Sequence, residues 1–231
     1  MRTIGLIGGM SWESSALYYR LINQETKRRL GGHHNAASVM VSVDFAEVEQ
    51  LQNVGDWDRL AAMMAGAARQ AASGGADFLV LCTNTMHKVA DSIAAAVSIP
   101  LLHIADVTAA AIRRDGRKCV GLLGTRFTME EAFYRDRLRD RFGIDVRIPP
   151  PDSRQLVHDV IFGELCHGIV RQPSRERYRE IIGELAARGA EAVILGCTEI
   201  GLLISGEDSP LPVYDSTDLH ARAAVDMALG G

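Results

Sequence analysis

The sequence predicts an α/β protein built from two similar halves, each a parallel sheet flanked by helices. The first observation is that apolar runs of strand length alternate with segments of helical spacing along all 231 residues, as they do in parallel sheets. The second is a repeat: an aliphatic run ending in a polar turn occurs at residues 75–85 and again at 189–199, an offset of 114 (189 − 75). The third is a further pair, residues 4–10 and 120–126, at nearly the same offset, 116 (124 − 8). Two independent pairs at nearly one spacing indicate two halves of similar build.

The first half is expected to begin with a strand at residues 3–8 and a Gly-rich turn at 8–14. A helix should then run from about Ser14 to Leu30, with Ser11 or Ser14 as its cap. The rest of this half follows as a strand (38–44), a polar segment folded over its end (45–52), a helix (56–73), the repeated strand (76–82) and a helix (86–97). The 8–14 turn is either a simple tight turn or one whose backbone N–H groups hold a ligand carboxylate at the helix N-terminus. Both interpretations stay open at this point.

A short strand at residues 100–104 and a helix from Asp106 to Arg114 come next, and the pattern then repeats. The expected elements are a strand (119–123), a turn (124–128), a charged helix to Arg141, two helices (153–168 and 173–187), the repeated strand, a helix from Thr198, a strand (212–214) and a final helix from Ser216. The last strand and helix should return to the first half. The predicted domains are therefore residues 1–98 with 210–231, and residues 99–209.

Composition argues against several classes of function. The net charge of −4 leaves no basic surface for nucleic acid. No apolar run approaches the roughly 20 residues that span a bilayer, and the N-terminus lacks the long apolar region of a signal peptide. We therefore expect a cytoplasmic protein without a membrane partner. The four cysteines show no Cys-x-x-Cys spacing, which argues against a zinc site and against a disulfide framework, and we expect no metal ligands in the site.

The polar ends of the repeated strands carry the candidate chemistry, because ligands of open α/β sheets bind at the carboxyl ends of the strands. When the two copies of the repeat are aligned, Thr83 corresponds to Cys197, whereas Cys82 corresponds to Gly196. Side chains alternate along a strand, so Cys82 should point into packing while Thr83 faces the site. Cys197 is expected at the start of a helix, where the macrodipole would lower its pKa.

Two proton-transferring groups from homologous halves suit racemisation, in which one group removes a proton from a carbon acid and another returns it on the opposite face. The motif Gly196-Cys197-Thr198-Glu199, with residues 81–88 (Leu-Cys-Thr-Asn-Thr-Met-His-Lys), 8–14 and 43–45, is similar to the aspartate/glutamate racemase family. Members of that family carry Cys-Asn-Thr in the first half, and this chain has Thr83 in place of that cysteine. The chain therefore resembles the branch of L-aspartate/glutamate-specific racemases that use a Thr/Cys pair.

The resemblance implies a fold and a site. It implies two pseudo-symmetric Rossmann-like domains, each with a four-stranded parallel sheet, an active site between them, a homodimer, and no pyridoxal phosphate or other cofactor. Thr83 and Cys197 would be the catalytic pair that interconverts L- and D-aspartate or glutamate. The substrate-binding positions carried over from the family are Met10, Gln52, Thr83, Asn84, Thr85 and Thr198. Many relatives have a lysine near position 166; here the nearby sequence is Glu164-Leu165-Cys166-His167, so Glu164 is the candidate at that place and broader substrate use becomes credible.

Three alternatives accompany this interpretation. A broad-specificity amino-acid racemase is the first. An arylmalonate-type decarboxylase, which resembles this family and uses a single cysteine in the second half, is the second, and Cys197 would supply that group. An inactive amino-acid-binding protein, with the cleft but no turnover, is the third. The decarboxylase and the binding protein stay open because a hydroxyl is a far weaker base than a thiol, so Thr83 would need Cys82 or a water to help it remove a proton.

Overall fold

The computed structural model describes residues 1–230, and within that range it confirms the predicted fold class. The described chain forms two four-stranded parallel sheets, each flanked by helices. It divides into two compact units. The first is Met1–His103 together with the chain from His220 onward, and the second is Ile104–Leu219.

The first unit is a sheet with the strand order β2-β1-β3-β4, in which every neighbouring pair is parallel. Its elements in chain order are β1 (Ile4–Gly8), α1 (Trp12–Leu30), β2 (Ser38–Ser42), α2 (Phe45–Val54), α3 (Trp57–Ser73), β3 (Phe78–Leu81), a 3-10 helix (Thr85–Val89), α4 (Ala90–Ala95) and β4 (Leu101–Leu102). Because side chains alternate along each strand, the two faces of the sheet build separate cores. Leu79 and Leu81 of β3 pack in one core, and Phe78 and Val80 pack in the other.

The second unit repeats this arrangement with the order β6-β5-β7-β8, again parallel throughout. Its elements are α5 (Ile104–Arg114), β5 (Cys119–Gly124), α6 (Arg126–Glu130), α7 (Ala132–Phe142), β6 (Asp145–Arg147), α8 (Pro151–Gly163), a 3-10 helix (Leu165–His167), α9 (Gln172–Ala187), β7 (Val193–Gly196), α10 (Ile200–Leu203), a 3-10 helix (Gly206–Asp208) and β8 (Val213–Asp215). The last helix, α11 (Ser216–Leu229), carries the chain back into the first unit.

The helices cover the sheets with one apolar face each. In α3 the buried residues recur at a spacing of three or four, as a helix packed on a sheet requires: Leu60, Met64, Ala67, Ala68 and Ala71. Asp56 caps this helix, and its carboxylate accepts the Arg59 N–H. Among residues 1–230, no helix combines the length and the hydropathy needed to cross a membrane.

Two short strands lie in the sheets opposite to those that the sequence predicts. Leu101–Leu102, assigned above to the domain of residues 99–209, pairs with β3 in the first sheet. Val213–Asp215, assigned above to the domain that includes residues 210–231, pairs with β7 in the second sheet. The chain therefore changes unit after each of these strands rather than before it. An apolar run of two or three residues does not record which sheet it joins, because that choice depends on pairing in three dimensions.

Several element boundaries also differ from the sequence prediction. Residues 45–52 lie inside the helix α2 rather than in an irregular polar segment, and Asp44 caps that helix by accepting the Ala46 N–H. The helix predicted at 86–97 is a 3-10 turn followed by the short α4. Strand β6 was missed, because its sequence Asp145-Val146-Arg147 is three residues long with charges at both ends and has little strand character of its own.

Candidate active site

The strand registers of the two sheets make Thr83 and Cys197 equivalent positions. In the first sheet Ile7 of β1 lies opposite Leu81 of β3. In the second sheet Leu123 of β5 lies opposite Leu195 of β7. The corresponding strands occupy the same place in each sheet order. Two residues beyond Leu81 is Thr83, and two residues beyond Leu195 is Cys197, so the register of the structure agrees with the register of the sequence repeat.

Cys82 lies in the core, as the alternation of side chains predicts. Its side chain has no exposed surface and packs with the apolar residues on the α1 face of the first sheet. Burial raises the pKa of the Cys82 thiol far above its usual range. A thiolate is therefore strongly disfavoured at this position, and Cys82 is poorly suited to help Thr83 remove a proton.

The turn after β1 is held together by its own hydrogen bonds. The Gly9 N–H donates to Ser15 Oγ at 2.7 Å, and the Ser14 N–H donates to Ser11 Oγ at 3.3 Å. Gly9 has φ of +95°, and a Cβ there would lie 2.1 Å from the Val43 carbonyl oxygen, so only glycine fits. These two N–H groups donate to side chains within the turn and are not left for a ligand carboxylate. For them, the structure favours the interpretation as a simple tight turn.

The candidate residues of the first unit gather at the carboxyl edge of its sheet. Met10 follows β1, and the candidate triplet Thr83-Asn84-Thr85 follows β3; all four are buried, and so is Gln52 in the last turn of α2. Gln52 Nε2 lies 3.2 Å from Met86 Sδ, which places Gln52 next to the segment that begins at Thr83. The Ser14 hydroxyl donates to the Cys82 carbonyl oxygen at 2.9 Å and so ties α1 to the same edge.

In the second unit the thiol of Cys197 is paired with a carboxylate. Cys197 follows β7 and is half-buried, and its Sγ donates to Glu199 Oε2 at 3.0 Å. Burial raises the pKa of Cys197 well above its ordinary value, and the Glu199 carboxylate raises it further by charge repulsion. The sequence prediction of a lowered pKa is therefore wrong. The helix α10 begins only at Ile200 and is four residues long, so Cys197 lies outside its first turn and gains little from its dipole.

Glu164 is held by neighbours within the second unit. It follows the last residue of α8, its Oε2 accepts a hydrogen bond from Ser174 Oγ at 2.7 Å, and its Oε1 lies 3.9 Å from Arg171 Nε. It lines a surface groove beside α8, and neither Cys197 nor Thr198 is part of that lining. Thr198 is buried next to Cys197 at the end of β7. A substrate contact by Glu164 therefore stays a prediction.

Two features near the candidate residues were not predicted from the sequence: the role of Glu199 and a group of three histidines in the first unit. Glu199 stands inside the motif that identified Cys197, so its spacing of two residues from the thiol was a usable signal. His87, His103 and His220 are far apart in the sequence and carried no such signal, yet the fold brings the His87 ring into contact with both of the others. In the part of the chain that the structure describes, no group of His, Cys, Asp and Glu side chains is arranged to hold a metal ion.

Comparison with known proteins gives consistent matches over three quarters of the chain or more. The model of the Asp/Glu/hydantoin racemase family matches residues 7–224. The crystal structure of a candidate Asp/Glu racemase from Yersinia pestis is 52% identical, with a TM-score of 0.93 over 99% of this chain and 100% of its own. An aspartate racemase homologue from Pyrococcus horikoshii OT3 is 32% identical, with a TM-score of 0.85 over 99% of this chain and 100% of its own. The broad specificity amino-acid racemase RacX of Bacillus subtilis (strain 168) is 27% identical over 178 residues, which are 75% of this chain and 74% of RacX.

Proposed function

The chain belongs to the Asp/Glu/hydantoin racemase family, and from this premise we propose that it interconverts the L and D enantiomers of aspartate and glutamate. The enzyme is in that case an isomerase that removes the proton from one face of Cα and returns a proton to the other. Proton transfer by positioned side chains is the catalytic device that such a reaction needs.

The proposal rests most heavily on the paired ends of β3 and β7. Equivalent strands of two similar sheets end in Thr83 and in Cys197, and the Cys197 thiol is hydrogen-bonded to a carboxylate. We assign these two residues as the acid/base pair of the reaction. Met10, Gln52, Asn84, Thr85, Glu164 and Thr198 are the proposed substrate-binding residues.

The Cys197–Glu199 contact suggests how the thiol becomes a base. Its raised pKa keeps Cys197 protonated at neutral pH, so a thiolate forms only if the proton has an acceptor nearby. Glu199 Oε2, 3.0 Å away, can take the thiol proton, after which the thiolate removes the Cα proton of the substrate. The Thr83 hydroxyl supplies a proton to the other face and regains one from water, while Glu199 returns the thiol proton to water, so that both residues end in their starting states. The reverse direction uses the same groups in the opposite roles.

We propose that this reaction needs no cofactor. Lys88 is the lysine nearest to the paired motifs in the sequence, and its ammonium group lies 3.6 Å from the centroid of the Trp57 ring. This position is that of a cation–π contact rather than of an amine directed at a carbonyl substrate. Assembly as a homodimer is a further prediction from the family resemblance, and a cytoplasmic location is a further prediction from the composition of the sequence.

The purified protein is expected to convert L-aspartate or L-glutamate into a mixture of both enantiomers, measured by chiral chromatography. Activity should survive dialysis against a chelator and hydroxylamine, because neither removes a group that the proposed mechanism uses. Release of carbon dioxide from an arylmalonate without racemisation of any amino acid would favour the decarboxylase. Binding of an amino acid without exchange of its Cα hydrogen in deuterated water would favour the inactive binding protein.

Broad substrate specificity is the second candidate function, and two observations favour it. Glu164 is a carboxylate near the place where many relatives are expected to have a lysine, and a carboxylate does not attract an acidic side chain. The relative RacX is described as a broad specificity racemase. A panel of acidic, neutral and basic amino acids in the same chromatographic assay separates the two candidates, since comparable kcat/KM for neutral substrates would support the broader function.

Replacing Glu199 with Gln should lower racemisation at pH 7 by about 10²-fold, since the thiol loses its proton acceptor. The variant needs Cys197 to lose its proton to solvent, so its rate should rise about tenfold per pH unit until the thiol titrates. The wild-type protein, in which Glu199 takes the proton internally, should show a flatter profile over the same range.

The matched control for this experiment is Glu191→Gln at the other end of the β7 segment. Glu191 is exposed, and its carboxylate accepts the backbone N–H groups of Lys118 and Cys119. This change should affect stability without altering the pH profile of the rate. A Glu199→Gln enzyme with the rate and the pH profile of the wild type would show that the carboxylate does not handle the thiol proton.

A further inference from the structure

Among the described residues, three histidines from distant parts of the sequence are buried together in the first unit. The His87 ring centroid lies 4.6 Å from that of His103 and 5.9 Å from that of His220. His87 belongs to the 3-10 helix that follows Thr83, His103 comes directly after β4, and His220 lies in α11. All three are at most 8% exposed. Buried imidazoles are costly unless hydrogen-bonded, so each needs a reason to be there.

Hydrogen bonds on both ring nitrogens hold His220 in place within this group. Its Nε2 lies 2.9 Å from the Leu102 carbonyl oxygen, and because a carbonyl only accepts, Nε2 carries the hydrogen. Burial lowers the pKa of His220 to about 4, so the ring is neutral at pH 7 and its Nδ1 is an acceptor. The Tyr18 hydroxyl donates to that nitrogen at 2.9 Å. One defined tautomer is therefore held between α1 and β4.

His87 is directed at the main chain of Thr83. Its Nδ1 lies 2.7 Å from the Thr83 carbonyl oxygen, and by the same reasoning Nδ1 is the donor. The His87 backbone N–H donates to the Asn84 carbonyl oxygen at 3.1 Å. Thr83 lies beyond the end of β3 and before the 3-10 helix, so regular secondary structure does not hold its carbonyl group. The His87 imidazole, from within the packed core, is therefore the hydrogen-bond donor to this carbonyl group.

We infer that His87 is a positioning residue that acts through Thr83. Its hydrogen bond fixes the peptide plane after Thr83 and thereby the direction in which the Thr83 hydroxyl faces the substrate. The packed rings of His103 and His220 hold the His87 imidazole in place. This inference rests on the proposed function, because it takes Thr83 to be the acid/base of the first half. Misplacement of a catalytic group by about 1 Å can cost about 10²-fold in rate, so one buried hydrogen bond can have a large effect.

The test compares His87→Leu with His87→Asn, two side chains of nearly equal shape. The Asn amide nitrogen can occupy the place of Nδ1 and donate to the Thr83 carbonyl, whereas Leu cannot. His87→Leu should lower kcat by about 10-fold to 10²-fold with little change in KM, and His87→Asn should restore most of the loss. If the Leu protein does not fold, His87→Gln replaces it, since its amide reaches the place of Nε2 and should not rescue.

Tyr18→Phe is the matched control for a purely structural effect. It removes the hydroxyl that bonds to His220 in the same buried group but leaves the His87 bond to Thr83 in place. It should lower the melting temperature about as much as His87→Leu does, with kcat close to that of the wild type. Equal losses of kcat in Tyr18→Phe and His87→Leu would overturn the inference, as would wild-type kcat in a folded His87→Leu enzyme.

Exchange of the Cα hydrogen in deuterated water adds a readout that loss of stability would not produce. His87→Leu should slow exchange mainly for the enantiomer whose exchange Thr83→Ala abolishes, because only the Thr83 face is disturbed. Equal slowing for both enantiomers would contradict a role through Thr83. If Thr83→Ala itself keeps full racemisation, the assignment of Thr83 fails first. If Thr83→Ala is inactive and His87→Leu is normal, only the role of His87 fails.

Discussion

Cys197→Ala is expected to lower racemisation by at least about 10²-fold while the protein stays folded, since loss of a proton-transferring group commonly costs that much or more. The position follows β7 and is half-buried, so removal of one sulfur atom leaves the strand pairing and most of the core unchanged. Cys197→Ser should be similarly impaired, because a hydroxyl is a much weaker acid than a thiol and reaches the ionised, basic form far less readily at neutral pH. Initial rates by chiral chromatography and a thermal melt of each variant measure the two effects.

Cys119→Ala is the matched control for the loss of a thiol. Like Cys197, Cys119 is partly buried, and it is the first residue of β5. It therefore lies at the amino end of its strand, away from the carboxyl edge that holds Cys197, so we expect this variant to keep its rate within about twofold, as substitutions away from a site usually do. Near wild-type racemisation by a folded Cys197→Ala protein would remove the central claim of the proposed function.

Thr83→Ala and Cys82→Ala should have opposite consequences although the two residues are adjacent. Thr83→Ala is expected to lower racemisation by at least about 10²-fold, since it removes the hydroxyl from the position equivalent to Cys197. Cys82→Ala should keep the rate and cost about 1 kcal/mol of stability, because its thiol is fully buried in the core. Kinetics and thermal melts of the two variants, measured side by side, provide the comparison.

Hydrogen exchange shows which face each group serves. The two enantiomers are equal in free energy, so kcat/KM is the same in both directions and cannot separate the two bases. In deuterated water, Thr83→Ala should still exchange the Cα hydrogen of one enantiomer through Cys197 and lose exchange of the other. Thr83→Cys should restore a thiol pair and speed the exchange that Thr83→Ala abolishes. If Cys82→Ala were inactive but folded and Thr83→Ala were active, the proposed alignment of the two halves would be wrong by one residue.

The sequence predicted the sheets with their flanking helices and the repeat of the two halves, because both depend on local periodicity. Buried parallel strands are continuous aliphatic runs, and the two copies of such a run kept one spacing along the chain. The strand registers reproduce that spacing, since Leu81 and Leu195 each lie opposite equivalent residues of the neighbouring strand. The sequence also predicted the short strands at Leu101–Leu102 and Val213–Asp215, but not the sheet that each one joins, because a run of two or three residues carries no pattern that identifies its partner strand.

By itself, the sequence determined the fold class, the family and the alignment of Thr83 with Cys197, because each follows from the order and spacing of residues along the chain. The tertiary structure alone decided the state of the Cys197 thiol: burial and the Glu199 carboxylate raise its pKa, where the sequence suggested a helix that would lower it. It also decided that His87, His103 and His220 meet behind Thr83. Both outcomes depend on burial and on contacts made only in the folded chain, and neither burial nor such contacts can be predicted from the local sequence pattern.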